Sequence, residues 1–294
     1  MYYRRKILLA LLQAFDNKLE KLSLQKLLML FSKQQENPDF YFVPYKFGCF
    51  SFQANADLNT MVKYEQVSQD EYFWKKTDTT NYILQLKEKD RILLRSIKQI
   101  YGTKDKNELI RHTYLNYPYF AINSTIVKTV LSADEFQKVT QARPEKNETI
   151  LFTIGYEGIS LEEYLNKLIQ NDIKVLCDVR KNPLSMKYGF SKSQLQNACE
   201  GVNIKYFHFP DVGIPTDQRT ILNNQSDYDN LFVKYRNDIL PEANQSLNKL
   251  LSLLLENKRI ALTCFEANIH QCHRKHLAEA IEKLPAFEYK VKHL

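Results

Sequence analysis

Glycine is scarce, with 7 in 294 residues, and the chain contains neither a GxxxxGK[ST] run nor a GxGxxG run. That excludes the two glycine-built phosphate cradles, the P-loop and the dinucleotide fingerprint. The five cysteines, at 49, 177, 199, 264 and 272, are odd in number and scattered. They exclude a disulfide framework and point to a reducing, cytoplasmic home. No apolar run approaches the roughly 18–20 residues needed to span a bilayer, so no membrane partner is expected. Arg4-Arg5-Lys6 ahead of Ile7–Leu12 imitates a signal peptide. That run is short, lacks a small-residue cleavage site and continues through Phe15, Leu19 and Leu22 at helical spacing, so a first core helix is expected instead.

The chain does carry an uneven charge. Residues 1–149 hold 23 Lys/Arg against 17 Asp/Glu, a net of +6, whereas 150–294 hold 18 against 17, a net of +1. Such an excess in one half suits a phosphate-binding surface and equally a merely solvated basic one. A hydrophobic fraction of 44% and a length of 294 residues support two ordinary globular domains.

The N-terminal part, 1–140, reads as a basic, mainly helical domain. Ile7, Leu8, Leu11, Leu12 and Phe15 form one apolar helical stripe; Leu24, Leu27, Leu28 and Phe31 form another, with Ser23 as its expected cap. The aromatic segment 40–50, broken by Pro44 and Gly48, reads as a short strand or wing, and a helix resumes over Ala54–Tyr64. This order outlines a winged-helix-like module. Helical runs follow at Ile83–Tyr101 and Ala133–Ala142, separated by the aromatic cluster 114–120, whose rings could stack on bases or simply fill a core. The polar stretch 141–148 reads as a linker.

From 149 to 294 the pattern alternates. Short apolar strands are expected at Thr149–Ile154, Lys174–Val179, Lys205–Phe209, Arg259–Cys264 and Phe287–Val291. Between them lie helical segments at Ser160–Gln170, Ser191–Glu200 with Ser191 as cap, Tyr228–Leu255 and Cys272–Leu284. Alternation of this kind predicts an α/β domain with a Rossmann-like parallel sheet. In such sheets ligands bind beyond the carboxyl ends of the strands. There the sequence places Gly155, Tyr156 and Glu157 after the first strand and Asp178, Arg180 and Asn182 after the second. Lys187 follows a little further on, His208 lies on the third strand, and Cys264 and Glu266 close the fourth. His273 and Arg274 open the next helix. Each has a plain structural reading: the glycines as turn formers, Asp178 with Arg180 as an ion pair, Cys264 as a core thiol. Cations in a first helical turn oppose the helix dipole, however, and an anionic ligand would relieve that cost. Cys264, Cys272 and His273 invite a zinc reading, but Cys-x7-Cys-His lacks the paired CxxC spacing of structural zinc sites, so neither metal nor other cofactor is expected.

Four ordered segments, TIGYEG (153–158), VLCDVRKNP (175–183), GFSK (189–192) and CFEANIHQCHR (264–274), make residues of about 151–284 resemble the domain-of-unknown-function 488 family. The resemblance implies that the strand-end residues form a shared site; it names no reaction. SLQKLLMLF (23–31) and FVPYKFGCFS (42–51) resemble an accessory module that precedes this domain in some members, and more faintly the antitoxin-like Panacea domain. VLCDVR and the Cys-ending fourth strand are also similar to rhodanese sulfurtransferases. Yet Cys264 is followed by FEANIHQ rather than by an anion-cradling loop, which speaks against sulfur transfer.

These readings converge on a nucleic-acid-acting enzyme, with DNA the favoured partner and stress or phage defence a fitting setting. Metal-free hydrolysis of an N-glycosidic bond, as by a DNA glycosylase, is the expected reaction. Asp178, Glu157 and Glu266 would be its catalytic carboxylates. Gly155, Tyr156, Arg180, Asn182, Lys187, His208, Cys264, His273 and Arg274 would be its substrate contacts. Two alternatives use the same residues: a non-catalytic nucleic-acid or nucleotide sensor, and a rhodanese-like thiol enzyme.

Overall fold

The computed structural model describes residues 1–218, 222 and 224–294. The chain divides into two compact units, Met1–Arg143 and Pro144–Leu294.

In the first unit, helix α1 (Tyr3–Ala14) leads through strand β1 (Lys18–Glu20) into helix α2 (Lys21–Ser32). A small hairpin of β2 (Val43–Tyr45) and β3 (Gly48–Phe50) precedes helix α3 (Phe52–Lys63), and strands β4 (Val67–Gln69) and β5 (Phe73–Lys76) follow. The three-stranded antiparallel sheet has the order β1-β5-β4, with Leu19 opposite Trp74. Three helices interleaved with a sheet in this order make a winged-helix arrangement, its wing the β4–β5 turn at 70–72. The aromatic segment 40–50 is therefore an inserted hairpin. Ser23 lies inside α2 and is buried, so it caps nothing. Ser51 caps α3 by accepting from the Ala54 N–H. Arg4 and Arg5, whose position imitates a leader peptide, each place Nε on the buried Asp57 carboxylate at 2.6 and 2.7 Å and so tie α1 to α3. Helices α4 (Glu88–Tyr101), α5 (Lys106–Asn116), α6 (Val127–Val130) and α7 (Ala133–Gln141) complete this unit.

The second unit alternates strictly. β6 (Ile150–Gly155), α8 (Leu161–Gln170), β7 (Val175–Asp178), α9 (Lys192–Glu200) and β8 (Lys205–His208) come first. Then follow α10 (Gln225–Lys234), α11 (Asn244–Asn257), β9 (Arg259–Cys264), α12 (Arg274–Glu282) and β10 (Lys290–His293). Its five strands are all parallel, in the order β10-β6-β9-β7-β8. β6, β7 and β9 are buried along their whole length, the pattern of central parallel strands covered on both faces. Leucines of α11 and residues of α10 and α12 pack with Cys177, Leu262 and Cys264 on one face. On the other, Tyr164 of α8 donates to Thr263 Oγ1 at 2.7 Å. A capping box of Ser160 and Glu163 starts α8. Ser191 makes no cap bond; its hydroxyl is drawn instead to the backbone of Ser185. The last strand lies a few residues beyond the expected one, at Lys290–His293, where Val291 pairs with Leu151.

The chain runs from β6 to β7 to β8 in one direction, then back through β9 to β10. The connections leaving β7 and β9 therefore diverge. A crevice opens at the carboxyl ends of such a pair, the switch point where open α/β sheets place their ligands.

Among the described residues, no helix is long and apolar enough to cross a membrane.

Candidate functional site at the strand ends

Strand register sets the depth of each group. Gly155 pairs with Cys264 at the sheet edge, and Asp178 lies one step lower beside Thr263 and His208. Above them is a cavity of about 340 Å³ lined by Tyr156, Arg180–Asn182, Leu184–Met186, Ile214, Thr216, Cys264 and Phe265. It lies at the carboxyl ends of β7 and β9, the diverging pair.

The floor is a buried ion pair. Asp178 has no exposed surface, and its carboxylate accepts from the Arg180 backbone N–H at 3.1 Å, Arg180 Nε at 2.8 Å, Arg180 Nη2 at 2.5 Å and the Tyr206 hydroxyl at 2.6 Å. Arg180 Nη1 donates to the Tyr156 hydroxyl at 2.7 Å and to the Phe190 carbonyl at 2.9 Å. Burial pulls the Arg180 pKa down, but the hydrogen bonds and charge of Asp178 more than reverse this and hold the guanidinium charged. Tyr206 and Tyr156 are pushed up mainly by burial. Tyr156 also stacks on Phe190, ring centroids 4.2 Å apart. Asp178 thus anchors Arg180, and its oxygens face donors of the fold.

Of the twelve expected site residues, four line the cavity: Tyr156, Arg180, Asn182 and Cys264. The other eight support its walls. Lys187 donates Nζ to the Tyr156 carbonyl at 2.7 Å, and burial lowers its pKa. His208 reaches the Arg180 carbonyl through Nε2 at 2.9 Å. Glu157 is exposed and accepts from the Ala267 N–H at 2.9 Å. A Cβ on Gly155 would lie 2.0 Å from the Glu266 carbonyl oxygen, so the missing side chain makes room for the loop after β9. Arg274, 1% exposed, bonds through both terminal nitrogens to the carbonyls of Glu266 and Ala267 and clamps that same loop. The expected grouping of Asp178, Arg180, Glu157, Glu266 and Arg274 therefore shares one sheet edge, yet only Arg180 reaches the cavity wall.

Beside the cavity the loop after β9 folds back on itself. Cys264 Sγ lies 3.1 Å from Glu266 Oε2 and 3.7 Å from His273 Nδ1, while His273 Nε2 meets the Val179 carbonyl at 3.0 Å. Sγ of Cys264, Sγ of Cys272 and a ring nitrogen of His273 all fall within 4.8 Å of one another, and all three residues are buried. Burial and the neighbouring Cys264 push the Cys272 thiol well up.

Sequence reasoning missed Lys181, Leu184, Ser185, Met186, Ile214, Thr216 and Phe265. Lys181 stood inside a quoted segment beside two named neighbours, and Phe265 between two named residues. Thr216 comes from the loop after β8, where no pattern marks it; its hydroxyl accepts from Asn182 Nδ2 at 3.1 Å.

Comparison with known proteins bears on this region. Residues 160–281 match the model of a family described as Domain of unknown function DUF488. The matched span runs from the cap of α8 to the last turn of α12 and so takes in the cavity walls contributed after β7, β8 and β9. The C-terminal domain is thus similar to that family, whose description names no activity. The match covers no part of the N-terminal domain. No curated protein and no solved structure matches the chain.

Proposed function

We propose that the C-terminal domain binds nucleic acid at the strand-end cavity, taking a phosphate on its polar floor and a base against its apolar rim. The observation that carries this reading is the composition of the cavity wall. Lys181, Asn182, Ser185 and Thr216 offer a cation and hydrogen-bond donors, and among the described residues no carboxylate belongs to the wall. Arg180 is neutralised by Asp178, so the net charge offered to a ligand comes from the exposed Lys181. At the mouth, Leu184 is 84% exposed, Met186 fully exposed and Phe265 42% exposed. Apolar groups left in water beside the Lys181 cation suit a ligand with a flat face and an anionic backbone.

The net charge of +6 over residues 1–149 and the winged-helix arrangement of the first unit support the same partner, since duplex binding draws its affinity from neutralised phosphates. Of the three carboxylates expected to hydrolyse an N-glycosidic bond, Asp178 is committed to Arg180 and Tyr206, and Glu157 to Ala267. Glu266 in turn accepts from the Cys264 thiol at 3.1 Å, so each of the three has a partner in the fold, and binding is the function we favour.

The test is equilibrium binding of labelled single- and double-stranded oligonucleotides to the full chain and to Lys181→Ala. Lys181 is exposed, so the variant should fold normally and bind about 10-fold more weakly, the scale of one desolvated phosphate contact. Equal binding by both proteins at low salt would remove the cavity from the account.

A further inference from the structure

We propose that Cys264, Cys272 and His273 form a binding site for a zinc-class divalent ion. Seven residues separate the two cysteines in sequence, but the loop after β9 turns back so that α12 begins beside the strand it follows. The two thiols and the ring nitrogen then lie within 4.8 Å of one another with no exposed surface to speak of. A tetrahedral ion with bonds of roughly 2.3 Å to sulfur and 2.0 Å to nitrogen holds such atoms about 3.5–3.8 Å apart. The observed Cys264 to His273 separation is 3.7 Å, so small side-chain rotations bring the set to a common centre.

Three further observations point to a cation. His273 Nε2 faces the Val179 carbonyl, which can only accept; the ring proton therefore sits on Nε2 and the Nδ1 lone pair points at Cys264. A ligand histidine is oriented in this way, by a backbone acceptor on its other nitrogen. Glu266 Oε2 lies 3.1 Å from Cys264 Sγ and puts a negative charge beside these donors. Finally, Arg274 is buried, paired with carbonyl oxygens rather than a carboxylate, and its Nε has no partner among the described residues. Two thiolates neutralise a divalent ion, so the Glu266 carboxylate beside Cys264 remains to offset this guanidinium.

Binding breaks two S–H bonds and forms two sulfur–metal bonds. Two protons pass to solvent, His273 contributes a neutral lone pair, and nothing is oxidised or reduced. The ion would fix the loop that carries Phe265 against the cavity, with Cys264 common to both.

The experiment uses the reduced full chain, stripped by a chelator and titrated with Co²⁺ alone, then with Zn²⁺. The expected result is one equivalent of cobalt with a thiolate charge-transfer band and a tetrahedral ligand-field spectrum, both erased by one equivalent of zinc. Apparent affinity should fall by up to about 100-fold per pH unit on acidification, because two protons compete. Cys272→Ser should bind cobalt more weakly and with a weaker sulfur band, whereas Cys199→Ser, altered at a buried thiol of α9, should leave both unchanged. Because Cys272→Ser could unfold, alkylation of the wild-type chain is followed in parallel, and zinc should protect Cys264 and Cys272 but not Cys177 or Cys199. Absence of a sulfur-to-cobalt band in folded, reduced protein, no zinc protection, or a Cys264–Cys272 disulfide that persists under reductant would each overturn the assignment.

Discussion

Replacing Asp178 with Asn keeps the size of the side chain and removes one charge. Four hydrogen bonds converge on this carboxylate, three of them from Arg180, and neither residue has more than 5% of its surface exposed. The amide cannot neutralise the guanidinium, and its own NH₂ group must face a donor. Breaking a buried pair from one side costs about 3–5 kcal/mol, because a desolvated charge is left behind. For a domain of this size each kcal/mol lowers Tm by roughly 2–4 °C, so the C-terminal transition should fall by about 6–20 °C. Tyr206→Phe removes only one hydrogen bond to the same carboxylate and should cost about 1.5–3 kcal/mol. Differential scanning calorimetry of the full chain would measure both, with the transition of the N-terminal unit as internal reference. An Asp178→Asn protein that melts within a degree or two of wild type, yet has lost function, would refute the anchoring role. It would return Asp178 to the catalytic one.

Other outcomes follow from single features of the structure. Gly155→Ala should destabilise the C-terminal domain and shift the backbone amide resonances of 264–267, since the added Cβ meets the Glu266 carbonyl at 2.0 Å; unchanged spectra would contradict that packing. Burial holds the His276 pKa below its ordinary value, so the unfolded chain takes up a proton at a higher pH than the folded one. Stability should therefore decline as pH falls from about 6.5 toward the lowered folded pKa, and His276→Gln should flatten that decline. Oligonucleotide affinity of the first unit should drop steeply between about 50 and 200 mM salt, which a filter-binding series would check; a flat profile would exclude phosphate contacts.

The parallel sheet was legible because its central strands are continuous apolar runs separated by amphipathic helices. Caps failed as signals where a hydroxyl had a better local partner, as at Ser191, or where the helix began earlier, as at Ser23. The apolar run after Arg4 and Arg5 was readable as a core helix, but not the role of the two arginines, whose partner Asp57 lies 53 and 52 residues away. The strand ends were readable as a region, since parallel topology fixes which loops meet there. Roles within it were not readable. Whether Asp178 faces a ligand or an arginine depends on side-chain direction, which residue type does not encode. The same holds for Cys264, Cys272 and His273: their spacing argued against a metal, and only the reversal of the loop after β9 brings them together.

Met186 offers the most direct measurement of the central claim. Of the chain's four methionines, at 1, 29, 61 and 186, it alone lies in the C-terminal domain, and it stands fully exposed at the cavity mouth. With methyl-labelled methionine, its NMR signal should shift saturably as a short oligonucleotide is added, and Lys181→Ala should move that titration to higher concentration. A Met186 signal that stays in place while the oligonucleotide saturates the protein would show that the strand-end cavity is not where nucleic acid binds.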